Sequence, residues 1–182
     1  MVKTAPKPSA IPAPGEGKRG VAGHLPYLLH QANAAVRRAL DRALADIGVT
    51  PPQFSILQMI AAYAPLSNAD LARLALHTPQ TINLIVANLV ARGAVVRRPH
   101  AVHGRILDLD IAAGGRRLLA KCRVRVHAVE AALEKKLPGG AERTALRRGL
   151  IAIAVAFEEG AGKAKADGAT ATPRKPPTRP RG

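Results

Sequence analysis

Four arginines, Arg92, Arg97, Arg98 and Arg105, stand between residues 92 and 105 with no Asp or Glu among them. Guanidinium groups crowded in this way repel one another and make poor structural ion pairs. They suit a row of phosphate oxyanions, with Arg105 at the tip of a turn able to enter a narrow minor groove. The other reading is a solvated basic face. His103 lies in the same acid-free stretch and is grouped with these arginines as a backbone or minor-groove contact. Just upstream, residues 78–92 carry Ile82, Ile85, Val86 and Leu89 on one side at helical spacing. The opposite side then shows Gln80, Leu84, Ala87 and Asn88, with Thr81 and Asn83 at its edges. An Asn or Gln amide matches the adenine edge bidentately, and a leucine can touch a thymine methyl. As plain surface positions these residues would carry no message. An outward Leu84 with no other hydrophobe on that side favours a contact surface. The expected base contacts are Gln80, Thr81, Asn83, Leu84 and Asn88.

Other spacings carry less. Gly15, Gly17 and Gly20 spell G-x-G-x-x-G, but they follow Pro12 and Pro14 rather than a strand, so the match reads as chance. His100 and His103 are three apart, with no third ligand placed by the sequence, and no metal is expected. Cys122 sits at an apolar helical phase between Lys121 and Arg123 and reads as a small buried hydrophobe. Asp108 and Asp110 share one face of a strand, where neighbouring like charges usually face solvent. The chain has no H-E-x-x-H, nucleophile elbow or P-loop. It is read as a non-enzyme without cofactors.

These candidates need elements to hold them. The chain has 182 residues and a net charge of +16, with 47% hydrophobic but only 2% aromatic residues. The core must be aliphatic, and a composition rich in Ala, Leu and Arg leans helical. One Cys excludes an internal disulfide framework. The longest apolar block, Leu150 to Phe157, is too short to span a bilayer. The first 20 residues lack an apolar h-region, so a cytoplasmic protein with no membrane partner is expected. Residues 1–22 and 160–182 read as disordered basic arms of charge +3 and +5, leaving +8 on the body, 23–159. Strong positive charge points to a polyanion, most simply double-stranded DNA.

Within the body, residues 24–47 form a long amphipathic helix closed by Gly48. Thr50 caps a second helix that Pro65 stops, and Ser67 to Asp70 form a capping box for a short third. Thr78 and Pro79 start the fourth, and Arg92-Gly93 end it. Residues 94–98 and 105–111 pair as a hairpin. A long fifth helix over 112–137 and a sixth over 141–157 follow. A short helix, a tight turn, a second helix and a basic hairpin make a winged helix-turn-helix. The fold class is mainly α with a small β-hairpin wing and long dimerisation helices at both ends.

Residues 24–157 resemble the MarR family of bacterial transcription regulators, above all over LSNADLARLALHTPQTINLIVANLVARGAVVRRPHAVHGRILDLDIAAGG (66–115). The family's L-x-x-x-x-R-G-x-V is similar to Leu89 through Val95, its wing-tip Arg maps to Arg105, and Arg97-Arg98-Pro99 is also familiar. Its L-T-x-x-G entry to the fifth helix maps to Leu109 through Gly114, with Asp110-Ile111 in place of the usual Thr. The sequence departs in the wing loop, where His100 and His103 stand without the usual acid. It departs also at Leu84 and Asn88, where a basic residue is common. The resemblance implies a homodimer joined through Leu25, Leu28, Leu29, Leu146, Leu150, Ile153 and Phe157. It also implies a sequence-specific regulator, expected to be a ligand-responsive repressor. A small aromatic or anionic effector would lie in a cleft near Tyr27, His30, Phe54 and Tyr63. The alternative is a sequence-indifferent, nucleoid-associated DNA-coating protein whose arms dominate.

Overall fold

A computed structural model of the chain describes residues 11–99, 107–137 and 139–168. It divides into two compact units, Met1–Ala132 and Leu133–Gly182. In the first, α1 (Leu25–Leu44) opens with proline in its first turn and closes through a 3-10 turn at Ala45–Ile47. Gly48 then takes a left-handed φ of 68°, a backbone that L side chains disfavour. α2 (Pro51–Tyr63) and α3 (Asn68–Leu74) both begin with complete capping boxes, Thr50 with Gln53 and Ser67 with Asp70. α4 (Pro79–Ala91) starts at the Thr78 cap.

Between α3 and α4 the chain closes a Schellman turn. His77 N–H donates to the Ala72 carbonyl at 3.1 Å and Leu76 N–H to Arg73 at 3.3 Å. Leu76 holds the left-handed position at φ 53°, although it has a β-carbon and is 70% exposed.

β1 (Val95–Pro99) pairs antiparallel with β2 (Leu107–Ile111), Val95 opposite Ile111 and Arg98 opposite Asp108. Leu109 N–H also donates to the Leu66 carbonyl at 2.8 Å, which ties the hairpin to the α2–α3 connection. Ile56, Leu57, Ile60, Leu71, Ile82, Val86, Leu89, Val95, Leu109, Ile111 and Leu119 form the core. It is wholly aliphatic in its fully buried members, as 2% aromatic content requires. Cys122 packs with Leu44 and Val49, fully buried, and burial pushes its thiol pKa up.

α5 (Ala113–Lys136) presses against the hairpin root at Gly115. A β-carbon there would lie 2.0 Å from the Ala94 carbonyl oxygen. A β-carbon on the preceding Gly114 would lie 3.0 Å from the Gly93 carbonyl oxygen. Two structured stretches extend past the expected boundaries of the arms. Residues 17–19 make a 3-10 turn, and Arg19 donates to the Pro12 carbonyl at 2.7 Å and to Gln31 of α1 at 3.0 Å. Gly15, Gly17 and Gly20 belong to that turn, with no strand or long helix opening from them.

In the second unit α6 runs Gly140–Gly168, eleven residues beyond the expected end at Phe157. The Ala and Lys of that continuation favour helix. Glu134 in the last turn of α5 faces Arg147 at 3.2 Å and Arg143 at 4.0 Å. Among the described residues no helix is long and apolar enough to cross a membrane.

Candidate nucleic-acid interface

α4 is held by one face and offers the other. Ile82, Val86 and Leu89 are buried, while Gln80, Thr81, Asn83, Leu84, Ala87 and Asn88 are all exposed. Leu84 is 68% exposed, a large apolar group left in water on a helix whose core side is full. The outward face carries no charged side chain from Pro79 to Ala91. Whatever it meets is met by amides, hydroxyls and one isobutyl group.

Three of the five expected base contacts are already engaged within the protein. Thr81 Oγ1 lies 2.9 Å from Thr78 Oγ1, closing the helix start. Asn88 Nδ2 donates back to the Leu84 carbonyl at 2.9 Å, turning its amide along the helix. Asn83 Oδ1 accepts from Asn68 Nδ2 at 2.5 Å, a bond from the first turn of α3 to the outer face of α4. Gln80 and Leu84 make no side-chain hydrogen bond with the described residues.

The arginines part company too. Arg92 ends α4 and turns away from the hairpin, donating to the carbonyls of Gly48 and Ile47. It clasps the end of α1, where Arg125 of α5 also reaches Asp46 at 2.7 Å. Two of the five N–H donors of the exposed Arg92 guanidinium are thus engaged within the protein, beside the backbone contact expected of it. Arg98 lies 3.7 Å from Asp110 on the adjacent strand, so part of its charge is balanced locally. Arg97 is exposed on the hairpin. His100, His103 and Arg105 lie outside the described residues.

A cleft of about 280 Å³ lies between α1, α2 and the α3–α4 turn. Val36, Leu40, Ile56 and Met59 give it apolar walls, and Arg37 and His77 bring one cation and one imidazole to it. None of Tyr27, His30, Phe54 and Tyr63 lines it. Tyr27, His30 and Tyr63 are exposed, and Phe54 packs half-buried against the core. Arg37 and His77 were not singled out from sequence, since one lies on a solvent-facing phase of α1 and the other in a turn. Of the apolar positions expected to join two subunits, Leu25, Leu146, Leu150 and Phe157 are exposed, and Leu28, Leu29 and Ile153 half-buried.

The comparisons with known proteins agree with this geometry. A sequence model of the MarR family matches residues 47–106. The HTH-type transcriptional repressor Rv2887 of Mycobacterium tuberculosis is 35% identical over 119 residues, 65% of this chain and 86% of that protein. The crystal structure of the same MarR family protein with p-aminosalicylic acid superposes with a TM-score of 0.59 at 31% identity. That match covers 72% of this chain and 99% of the other. The transcriptional repressor CouR, bound to a 23-mer DNA duplex, superposes at 0.67 with 26% identity, over 72% of this chain and 92% of that one.

Proposed function

The chain belongs to the MarR family, and from that premise we propose that it is a homodimeric, sequence-specific DNA-binding repressor released by a small organic acid. It acts in the cytoplasm and catalyses no reaction. The observation that carries this reading is the two-sided α4, with an uncharged, hydrogen-bonding outer face beside a basic hairpin. Phosphate contacts fix position and base contacts fix sequence. Arg97, with Arg105 and His103 farther along the wing, supplies the first. Gln80 and Leu84 lead the second, with Thr81, Asn83 and Asn88 as oriented partners. Exposed apolar positions on α1, and separately on α6, are available to a mate, and two copies of α4 then meet one side of a pseudo-palindromic site.

The effector seat is the cleft at Arg37 and His77. At about 280 Å³ it has ample room for a substituted aromatic ring, and a cation beside apolar walls suits a carboxylate on such a ring. A relative was crystallised with p-aminosalicylic acid, a molecule of that kind. Titration of the protein on a selected operator and on a scrambled duplex, with and without salicylate, tests the whole reading. Preference for the operator should reach about 10³, and both affinities should fall steeply with salt. Salicylate should weaken operator binding in the wild type and not in Arg37→Ala. Equal affinity for both duplexes would instead make the protein a coating protein.

A further inference from the structure

We infer that Asn68, on the first turn of α3, is a specificity-determining positioning residue that sets which end of the Asn83 amide reads DNA. This rests on the proposed function. A side-chain amide can donate at nitrogen and accept at oxygen, so a freely rotating Asn offers either end. Here Asn68 Nδ2 donates to Asn83 Oδ1 at 2.5 Å. The carbonyl end of Asn83 is drawn toward α3, and its Nδ2, with two N–H groups, is the end left to lead outward. Asn83 is exposed on the reading face, whereas Asn68 is half-buried on the first turn of α3. The pair therefore works as a holder and a reader. A leading N–H group favours a base that presents only acceptors there, namely guanine at N7 and O6 or thymine at O4. The bidentate match to adenine expected for a lone Asn needs both ends, and it loses its advantage.

The geometry makes the holder's chemistry decisive. Aspartate at position 68 has only acceptors, so Asn83 would donate Nδ2 to it and turn its carbonyl outward. The reading face would then favour bases with an exocyclic amine, adenine N6 or cytosine N4. Alanine at 68 removes the constraint and lets Asn83 take either pose, which restores the bidentate match to adenine.

Selection from a randomised duplex pool, run on wild type, Asn83→Ala, Asn68→Asp and Asn68→Ala, tests this, with thermal melting to confirm that each is folded. Asn83→Ala identifies the base position in each half-site that Asn83 reads. At that position Asn68→Asp should exchange an acceptor-edge base for an amine-bearing one, by about fivefold or more, and leave other positions unchanged. Asn68→Ala should move the same position toward adenine, and it carries the test alone if Asn68→Asp does not fold. Overall affinity of Asn68→Asp should drop on every sequence, since the new carboxylate repels phosphate. Unchanged preference in both Asn68 variants overturns the inference while leaving the proposed function intact, as does an Asn83→Ala variant with the wild-type site. A wild type that enriches no site at all overturns the proposed function and this inference with it.

Discussion

The guanidinium of Arg92 donates to the carbonyl oxygen of Gly48, joining the end of the reading helix to the left-handed turn that ends α1. A second nitrogen of the same group reaches the Ile47 carbonyl at 3.2 Å. Two peptide carbonyls at a helix end, otherwise left to water, are satisfied by one planar fork. Arg92→Ala should thus lower unfolding stability by about 1–2 kcal/mol, as expected for hydrogen bonds from a charged donor. Urea denaturation gives this directly, and the preference among DNA sequences should survive. Lysine, with a single ammonium, should recover less than half of the loss.

The two hairpin arginines should separate in a salt titration. Arg97→Ala should weaken binding to every duplex and reduce the slope of log affinity against log salt by about 1. Arg98→Ala should do less, because Asp110 already lies 3.7 Å from its guanidinium. Asp110→Asn then raises affinity for all sequences by releasing that charge.

Leu76 occupies a backbone conformation that glycine holds at the two comparable turns, Gly48 and Gly93. A β-carbon there costs about 1 kcal/mol. At 70% exposure the leucine side chain recovers little of that through burial. Leu76→Gly should raise the melting midpoint, measured by calorimetry. A lower midpoint would mean that the side chain stabilises the fold in a way its exposure does not suggest.

Asp70 gives α3 a pH dependence. Ser67 Oγ donates to its carboxylate at 2.6 Å and Ser67 N–H at 3.1 Å, and Arg73 lies alongside, so its pKa is held below the ordinary 3.8. A depressed folded pKa contributes stability that is present above 3.8 and disappears as pH falls through the folded value. The deficit of Asp70→Asn in urea midpoint should accordingly be largest near neutral pH and shrink in acid. Ser67→Ala should cost about 1 kcal/mol by loss of the cap.

The apolar stripe on α6 should govern association. Leu146, Leu150, Ile153 and Phe157 recur every three or four residues, and Phe157 is 77% exposed. Leu150→Arg should shift sedimentation from dimer to monomer and abolish operator binding, while single-subunit contacts with non-specific DNA persist.

Elements with strong local signals were legible from sequence. Thr50, Ser67 and Thr78 cap the helices they were expected to cap, and the buried face of α4 follows from its period. The roles of outward polar groups were not legible, because a hydrogen bond between residues distant in sequence leaves no local trace. Arg92 read as a phosphate ligand by its neighbourhood in the chain, yet its partners lie at 47 and 48. Asn68 drew no notice, since its meaning depends on Asn83, fifteen residues on. The cleft at Arg37 and His77 went unread for the same reason. The few aromatic residues drew the expectation, while the lining of this cleft comes from α1, α2 and the α3–α4 turn.

At Gly115 the long fifth helix lies against the Ala94 peptide and the Ile111 side chain, and a single methyl would wedge them apart. A side chain at this position would have to part α5 from the strand root, and so would alter the seating of the hairpin without changing any residue proposed to meet DNA.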